Sequence, residues 1–316
     1  MPRSAADDDP LRPLVARLDA LLDLLAPALR APAPSAPDWE NAIAFFWCPA
    51  PEASRLYGRR SHLRAIRTLH RIRLQDLIDI DEQKARMVQN TRQFVAGRPA
   101  NNVLLTGARG TGKSSLVKAV LNEFAADGLR LIELDRDGLL DLPELIDLLA
   151  ARPERFILYC DDLSFEAHET GYNALKSVLD GSLAALPENI LIYATSNRRH
   201  LLPEYHDDNR DAAHVDGEVH PGEAVEEKIS LSERFGLWIS FYPFGQDEYL
   251  AIAAHWLRTY GLKEREIDAA RGEALQWALL RGARSGRIAW QFARDYAGRH
   301  AQAKAGKGGK AAGRRK

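Results

Sequence analysis

The sequence predicts an α/β fold in which a parallel sheet is followed by a helical region. Between residues 99 and 244, short apolar strand candidates alternate with helix candidates, which is the pattern of a parallel sheet with helical crossovers. After residue 245 the apolar residues recur every three or four positions, as they do in amphipathic helices. The chain has 316 residues, of which 46% are hydrophobic, so it is long enough to bury the core of such a fold.

Composition divides the chain into five regions. The first begins with leucines at helical spacing and ends in a proline-rich linker, and we expect the second to be mostly helical. The third is the α/β region, and the fourth is the helical region after it. The last is rich in glycine and lysine and poor in apolar residues, so we expect it to be disordered. The boundaries are 1–37, 38–98, 99–244, 245–300 and 301–316.

Five apolar runs in the third region predict the strands of the sheet. Each run is short and is bounded by polar residues or glycine. Strands covered by helices on both faces have this nearly continuous apolar character. We expect strands at 102–106, 130–134, 156–160, 190–194 and 237–241.

A strongly basic stretch covers residues 55–73, which contain seven arginines and no acidic residue. Arg60, Arg64, Arg67 and Arg71 would share one face of a helix. This stretch and the basic tail could both contact the phosphate backbone of a nucleic acid. Aromatic residues are sparse there, with only Tyr57 inside the stretch. A solvated or subunit-facing helix surface is the alternative interpretation.

Cysteine content and hydropathy indicate a protein of the cytoplasm. Only Cys48 and Cys160 are present, and Cys160 falls within a predicted strand. A disulfide framework is therefore not expected, and a reducing compartment fits the sequence. No apolar run approaches the length of about 18 residues that a membrane-spanning helix needs.

The most specific motif lies between the first predicted strand and the helix after it. Its glycines let backbone N–H groups surround phosphate oxygens without side-chain clash, and the next helix directs its N-terminus at the phosphates. Lys113 would reach the outer phosphates, and the Ser114 hydroxyl would ligate Mg²⁺. The sequence thus predicts a P-loop that binds ATP with Mg²⁺. The expected nucleotide-binding residues are Gly107, Ala108, Arg109, Gly110, Thr111, Gly112, Lys113, Ser114 and Ser115.

Acidic residues follow the third predicted strand. The apolar run 156–160 ends in Asp161 and Asp162, and ligands gather at the carboxyl ends of parallel strands. Asp161 would hold Mg²⁺ through its water shell, and Asp162 could orient or deprotonate the attacking water. Glu166, four residues further on, is the alternative base.

Taken together, the order of these motifs resembles that of the AAA+ ATPases. The chain is most similar to a bacterial family of predicted AAA+ ATP-binding proteins whose function is unknown. The resemblance spans about residues 75–298 and implies a three-layer, five-stranded sheet with ATP held between the sheet and a helical lid. The segments that carry it are 107–115, 161–166, 194–200, 230–236 and 284–287.

Further site residues are implied only by this resemblance. Asn197 matches sensor 1, whose amide positions water against the γ-phosphate. Arg234 matches the arginine finger, which a neighbouring subunit inserts, although an intrachain salt bridge is its alternative role. Arg287 matches sensor 2, with Arg284 as a competitor for that position.

The segment before the α/β region also has a counterpart in the superfamily. Ile78 and Ile80 match the residues that line the adenine pocket, although an amphipathic core segment would also explain them. One position departs from the usual pattern, because AAA+ proteins usually have glutamate where this chain has Asp162. This departure is compatible with slow hydrolysis and bears on turnover more than on ATP binding.

Three functions are compatible with these features. The favoured one is an oligomeric ATPase that uses hydrolysis to remodel or load a macromolecular client, more plausibly a protein than a nucleic acid. The second is an ATP-dependent binding switch with little hydrolysis, which Asp162 and the leucine-rich leader helix predicted within residues 1–37 keep open. The third is a monomeric phosphotransferase, for which the chain has no recognisable acceptor site and against which Arg234 argues.

Overall fold

The structure is a computed structural model that describes residues 14–21, 36–50, 60–164, 170–181, 186–197, 213–215, 218–220 and 232–312. Its strands are β1 (Ala44–Cys48), β2 (His62–Ala65), β3 (Val103–Gly107), β4 (Leu129–Leu134), β5 (Arg155–Cys160), β6 (Ile190–Ser196), β7 (Ala213–Val215), β8 (Glu218–His220) and β9 (Leu237–Phe241). Its helices are α1 (14–21), α2 (Asp81–Val95), α3 (Lys113–Phe124), α4 (Leu142–Ala150), α5 (Thr170–Asp180), α6 (Gln246–Thr259), α7 (Glu264–Leu280) and α8 (Gly286–Ala312).

The main sheet confirms the α/β prediction. Its seven strands have the order β2-β1-β4-β5-β6-β3-β9. All neighbouring pairs in it are parallel except β1 with β2. The five predicted strands correspond to β4, β5, β6, β3 and β9, so the P-loop strand β3 is internal, with β6 beside it and β5 next in line. The ends of β3, β5 and β6 therefore converge at one edge.

Two strands extend this sheet beyond the five that were expected. The region predicted to be mostly helical contributes β1, which pairs with β4, and the edge strand β2. The aromatic run 45–47 favours a strand because alternate rings, Phe45 and Trp47, are buried against the sheet.

The predicted arginine helix is also wrong. Arg64 lies in β2, and the described residues between β2 and the short 3₁₀ helix Leu74–Asp76 are irregular. The spacing of Arg60, Arg64, Arg67 and Arg71 imitates a helical period, but pairing with β1 determines the conformation of 62–65. These arginines therefore do not form one helical face. Residues 51–59 lie outside the described part of the chain.

Apolar cores cover both faces of the sheet. On one face, α4 and α5 pack over residues such as Phe45, Ile132 and Leu158. On the other face, α2 and α3 pack over residues such as Val103 and Leu105. Burial from both sides explains why the central strands are almost continuously apolar in sequence.

The three C-terminal helices form a separate small core. Tyr249, Ile252, Ala253 and Leu257, which are apolar residues of α6 at helical spacing, are buried in it with residues of α7 and α8. Helix α8 runs on to Ala312, into the segment for which the composition predicts disorder. A helix that already has a packed first half extends without a new nucleation step, which accounts for the difference. Residues 313–316 lie outside the described part.

The leader helix α1 presents its apolar stripe to solvent. Leu14, Val15, Leu18 and Leu21 are between 55% and 65% exposed, and the rest of the predicted leader and most of its linker lie outside the described residues. In the part of the chain that the structure describes, no helix combines the length and apolar character needed to cross a membrane.

A buried polar cluster joins β1 to the residues before α4. Asp141 is 3% exposed. Its Oδ2 accepts hydrogen bonds from Trp47 Nε1 at 3.1 Å and from Ser61 Oγ at 2.8 Å. The cluster therefore helps to attach the two added strands to the rest of the sheet.

Replacing Asp141 with alanine should lower the free energy of unfolding by about 1–3 kcal/mol, because two donors, one of them on the buried Trp47, would lose their acceptor. Urea unfolding followed by circular dichroism measures this change. Asp137→Ala is the matched control, since Asp137 is exposed and should change stability by no more than about 0.5 kcal/mol. Equal effects of the two substitutions would contradict a structural role for the buried cluster.

Candidate nucleotide-binding site

The P-loop connects the end of β3 to the start of α3, as the sequence predicts. Glycine is required at Gly107 because a Cβ there would lie 2.0 Å from the carbonyl oxygen of Phe241 in β9. It is also required at Gly110, which has φ +77° and where a Cβ would lie 2.7 Å from Ser285 Oγ. The loop is thus packed between the sheet and the start of α8.

Lys113 is buried at the first position of α3. Its ammonium donates to Gly107 O at 2.6 Å, to Ala108 O at 2.9 Å and to Asn197 Oδ1 at 2.9 Å. Burial lowers the pKa of Lys113, while the negative charges of Asp162 and Asp161 oppose that shift. All three donors of the ammonium are engaged in this structure, so a phosphate bound by Lys113 would replace one of these acceptors.

Asp161 lies at the end of β5, beside the first turn of α3. Its Oδ1 accepts hydrogen bonds of 2.7 Å from each of Ser114 Oγ, Tyr159 OH and Thr195 Oγ1. Desolvation alone would raise the pKa of Asp161, but these hydrogen bonds outweigh it and keep the pKa below its ordinary value. The carboxylate form is therefore favoured.

The donor set at this point fits a magnesium ion. Mg²⁺ prefers oxygen ligands and usually combines one or two carboxylates with water and phosphate oxygens. The hydroxyl of Ser114 and the carboxylate of Asp161 are already in contact, so one ion could engage both groups. Among the described residues, no cluster of three or more His, Cys, Asp or Glu side chains suited to a metal occurs.

Asp162 is held beside Asn197. Its Oδ1 accepts a hydrogen bond from Asn197 Nδ2, and its Oδ2 lies 3.4 Å from the guanidinium of Arg109. Asp162 has φ +53°, a left-handed conformation that few residues with a Cβ adopt. The structure thus brings Lys113, Asp162 and Asn197 together, while Glu166 lies outside the described residues.

The C-terminal helices α6–α8, in which the sequence predicts a lid, touch the P-loop directly. The backbone N–H of Gly286 donates to Gly110 O at 2.9 Å. Of the two sensor-2 candidates, Arg287 carries a charge close enough to lower the pKa of Lys113, and its Cβ would lie 3.7 Å from a Cβ on Gly110. Both arginines are exposed, and Arg284 precedes this contact. The geometry favours Arg287.

The segment 78–80 lies between the sheet and the lid. Ile80 is buried in the core of α2 and α3, and its Cδ1 would lie 3.5 Å from a Cβ on Gly112. Ile78 packs against the lid core instead. The two isoleucines therefore connect the sheet core with the core of the C-terminal helices beside the P-loop. Their contact with a nucleotide base stays a prediction.

Arg234 lies shortly before β9. It is 24% exposed and forms an ion pair with Asp180 at the end of α5. The intrachain pair that the sequence left open as an alternative is therefore present in this structure, whatever role the arginine takes beside a second subunit.

Two residues of the cluster were not anticipated from the sequence. Tyr159 and Thr195 both donate to Asp161. Side chains two positions apart on a strand share a face, so Tyr159 shares the face of Asp161, and Thr195 that of Asn197. The alternation of side chains along β5 and β6 could therefore have indicated Tyr159 and Thr195 from the sequence.

Known proteins resemble this chain mainly in their fold. No curated protein matches it. Among solved structures, a mutant of the RuvB protein of Thermotoga maritima matches with a TM-score of 0.50 and 17% identity over 72% of this chain. The FIGL-1 AAA domain in complex with ADP matches with a TM-score of 0.47 and 15% identity, covering 73% of this chain and 74% of that one.

These similarities concern the fold alone, because the identities are low. This chain spans 65% of the length of that RuvB chain, less than two thirds. The sequence model of one family, described as "Protein of unknown function (DUF815)", matches residues 49–300. With most of its length covered, the chain belongs to the DUF815 family, and its fold is that of the AAA+ P-loop ATPases.

Proposed function

We propose that this protein is an oligomeric AAA+ ATPase that couples ATP hydrolysis to the remodelling or loading of a macromolecular partner. The observation that carries the proposal is the cluster at the ends of β3, β5 and β6. There the Lys113 ammonium, the Asp161 and Asp162 carboxylates and the Asn197 amide surround the P-loop. Residues 99–244 would form the ATP-binding domain and residues 245–300 its lid.

ATP would be held by three parts of the chain. The backbone of 107–115 would surround the phosphates at the N-terminus of α3, with Lys113 on the outer phosphates. The adenine would lie against Ile78 and Ile80. Ser114 and Asp161 would hold Mg²⁺, which in such sites neutralises charge on the transferred phosphoryl group.

Hydrolysis would depend on Asp162 and Asn197. In the proposed reaction a water molecule attacks the γ-phosphorus, its proton passes to the Asp162 carboxylate, and the bond to the β–γ bridging oxygen breaks with its electrons leaving on ADP. The Asn197 amide would orient the water. Their mutual hydrogen bond supports this pairing, because a base needs a fixed direction towards its water.

Two arginines would complete the site. Arg287 would join the lid to the phosphates, which its position at the P-loop contact supports. Arg234 would act from a neighbouring subunit on the charge that develops in the transition state. In that role the active site would be complete only where two subunits meet.

We propose a protein client and a cytoplasmic location. Two arginines of the basic stretch make local contacts, since Arg64 stacks over Phe46 and Arg73 pairs with Asp76. These local roles favour a protein client over a nucleic acid backbone. Both thiols are free, which fits a reducing compartment.

An ATP-dependent binding switch is the second candidate function. The exposed apolar stripe of α1 favours it, because such a surface is suited to recruiting a partner. In that case nucleotide binding would change the partner affinity with little turnover.

Replacing Lys113 with alanine should weaken ATP binding by about tenfold or more, because the charge-assisted hydrogen bonds of a cation at the mouth of the P-loop would be lost. Titration with a fluorescent ATP analogue measures this. Lys263→Ala, on the exposed turn before α7, is the control and should bind like the unmodified protein. Unchanged affinity in the Lys113 variant would refute the phosphate-binding role of the loop.

Asp162→Asn should retain ATP binding and lower turnover by about 10²–10⁴-fold, the usual contribution of a general base. Glu166→Gln is the matched comparison and should turn over ATP at close to the normal rate. Phosphate release at saturating ATP measures both. The reverse pattern would assign the base to Glu166.

Arg234→Ala should retain binding and lower turnover by about 10³-fold or more, as loss of an arginine finger does. Asp180→Ala distinguishes the two roles of Arg234. It breaks the same ion pair but leaves the guanidinium able to act on a neighbour, so turnover should persist. Loss of turnover in both variants would show that the intrachain pair, rather than a finger, is what matters.

A further inference from the structure

The hydroxyl of Thr195 connects the two adjacent aspartates. Thr195 is 1% exposed near the end of β6. Its Oγ1 donates to Asp161 Oδ1 at 2.7 Å and accepts from the backbone N–H of Asp162 at 2.9 Å. A hydroxyl has one proton and two lone pairs, so it can make both bonds at once.

The backbone of Thr195 holds the same turn from a second atom. The N–H of Leu163 donates to Thr195 O at 2.6 Å, and Leu163 is buried in the core under α4 and α5. Two successive N–H groups after Asp161 are therefore bound by one residue of the neighbouring strand, and the direction of the chain at 162 is fixed relative to β6.

At this turn Asp162 has an unfavourable, left-handed backbone conformation. Asp162 and Asp79 are the non-glycine residues with positive φ in the described part of the chain. A left-handed residue with a Cβ persists only where its surroundings enforce it, and such residues concentrate at functional sites. The backbone contacts that can enforce it are the bonds of the Asp162 and Leu163 N–H groups to Thr195, and the Asp162 side chain is held by Asn197 and Arg109.

The conformation also accounts for the aspartate itself. Asp and Asn tolerate the left-handed region better than other residues with a Cβ, so the turn favours Asp162 over the longer glutamate that AAA+ proteins usually have there. The left-handed turn directs the Asp162 carboxylate to the Asn197 amide.

We propose that Thr195 is the positioning residue of this site, which locks the 161–163 turn so that an aspartate serves as the base and Asp161 is oriented for the metal. The proposal rests on the proposed function. Thr195 acts through the two aspartates and needs no contact with the nucleotide.

Three full-length variants test the proposal. Thr195→Val removes the hydroxyl at nearly constant volume, and Thr195→Ser keeps it. Thr91→Val is the control for loss of a buried threonine hydroxyl, since Thr91 is fully buried in α2 and bonds Met87 O and Tyr193 OH instead. Circular dichroism establishes that each variant folds, and Thr195→Cys replaces Thr195→Val if the latter does not.

The expected result is a fall in kcat of about tenfold or more for Thr195→Val, with the KM for ATP within about threefold of normal because the P-loop is intact. The Mg²⁺ concentration needed for half-maximal nucleotide binding should rise. Thr195→Ser and Thr91→Val should keep both quantities near normal. If Thr195→Val keeps normal kcat and Mg²⁺ dependence, or if Thr195→Ser falls as far as Thr195→Val, the proposal is overturned.

A crystal structure of the Thr195→Val variant gives an outcome that does not depend on turnover. Asp162 should leave the positive-φ region, and retention of its left-handed conformation would overturn the proposal whatever the activity. If the unmodified protein hydrolyses no ATP, the proposed hydrolytic function fails, while the Asp162 conformation and the Mg²⁺ dependence of binding still decide the role of Thr195.

Discussion

The buried ammonium of Lys113 is the interaction on which the rest of the site depends. A charged amine away from water is stable only when it is fully hydrogen-bonded, and here two P-loop carbonyls and the Asn197 amide provide the acceptors. These bonds tie the loop after β3 to the end of β6. The strand order makes this geometry available, because β6 lies between β3 and β5 and brings the polar residues after each strand to one edge.

The Asp161 carboxylate, like the Lys113 ammonium, is held by hydrogen bonds from several elements of the fold. Asp161 accepts hydrogen bonds from hydroxyl groups of α3, β5 and β6. A shift of any of these elements would therefore alter the hydrogen bonding of the carboxylate. The lid joins this network through the backbone bond between Gly286 and Gly110. Segment 78–80 makes apolar contacts with the core of the sheet and with the core of the C-terminal helices. Nucleotide binding and lid position are therefore expected to be coupled.

The sequence predicted five strands of the sheet to within two residues at each end. The internal ones among them are continuously apolar because helices bury both of their faces. The polar residues Asp161 and Asn197 lie directly after their strands, as the sequence suggests, and their roles stay predictions. The prediction failed at β1 and β2, because the pairing of Phe45 and Trp47 with distant strands is not encoded in local spacing and the arginine spacing imitates a helix.

The side-chain contacts within the candidate site could not be predicted from the sequence. The left-handed conformation of Asp162 goes with its hydrogen bond to Thr195, a residue more than thirty positions away in the sequence. Only the order of the strands brings these two residues together. Arg234 illustrates another limit, because its motif suggests a partner subunit while the single chain pairs it with Asp180. Both cases depend on tertiary or quaternary neighbours.

The most direct test of a composite ATPase site completed by a neighbouring subunit is ATP turnover per subunit measured over a wide range of protein concentration, with light scattering on the same samples. The account predicts that turnover rises steeply as the chain assembles and then reaches a plateau. Turnover per subunit that is constant from the dilute monomer upward, or absent from the assembled protein, would contradict it.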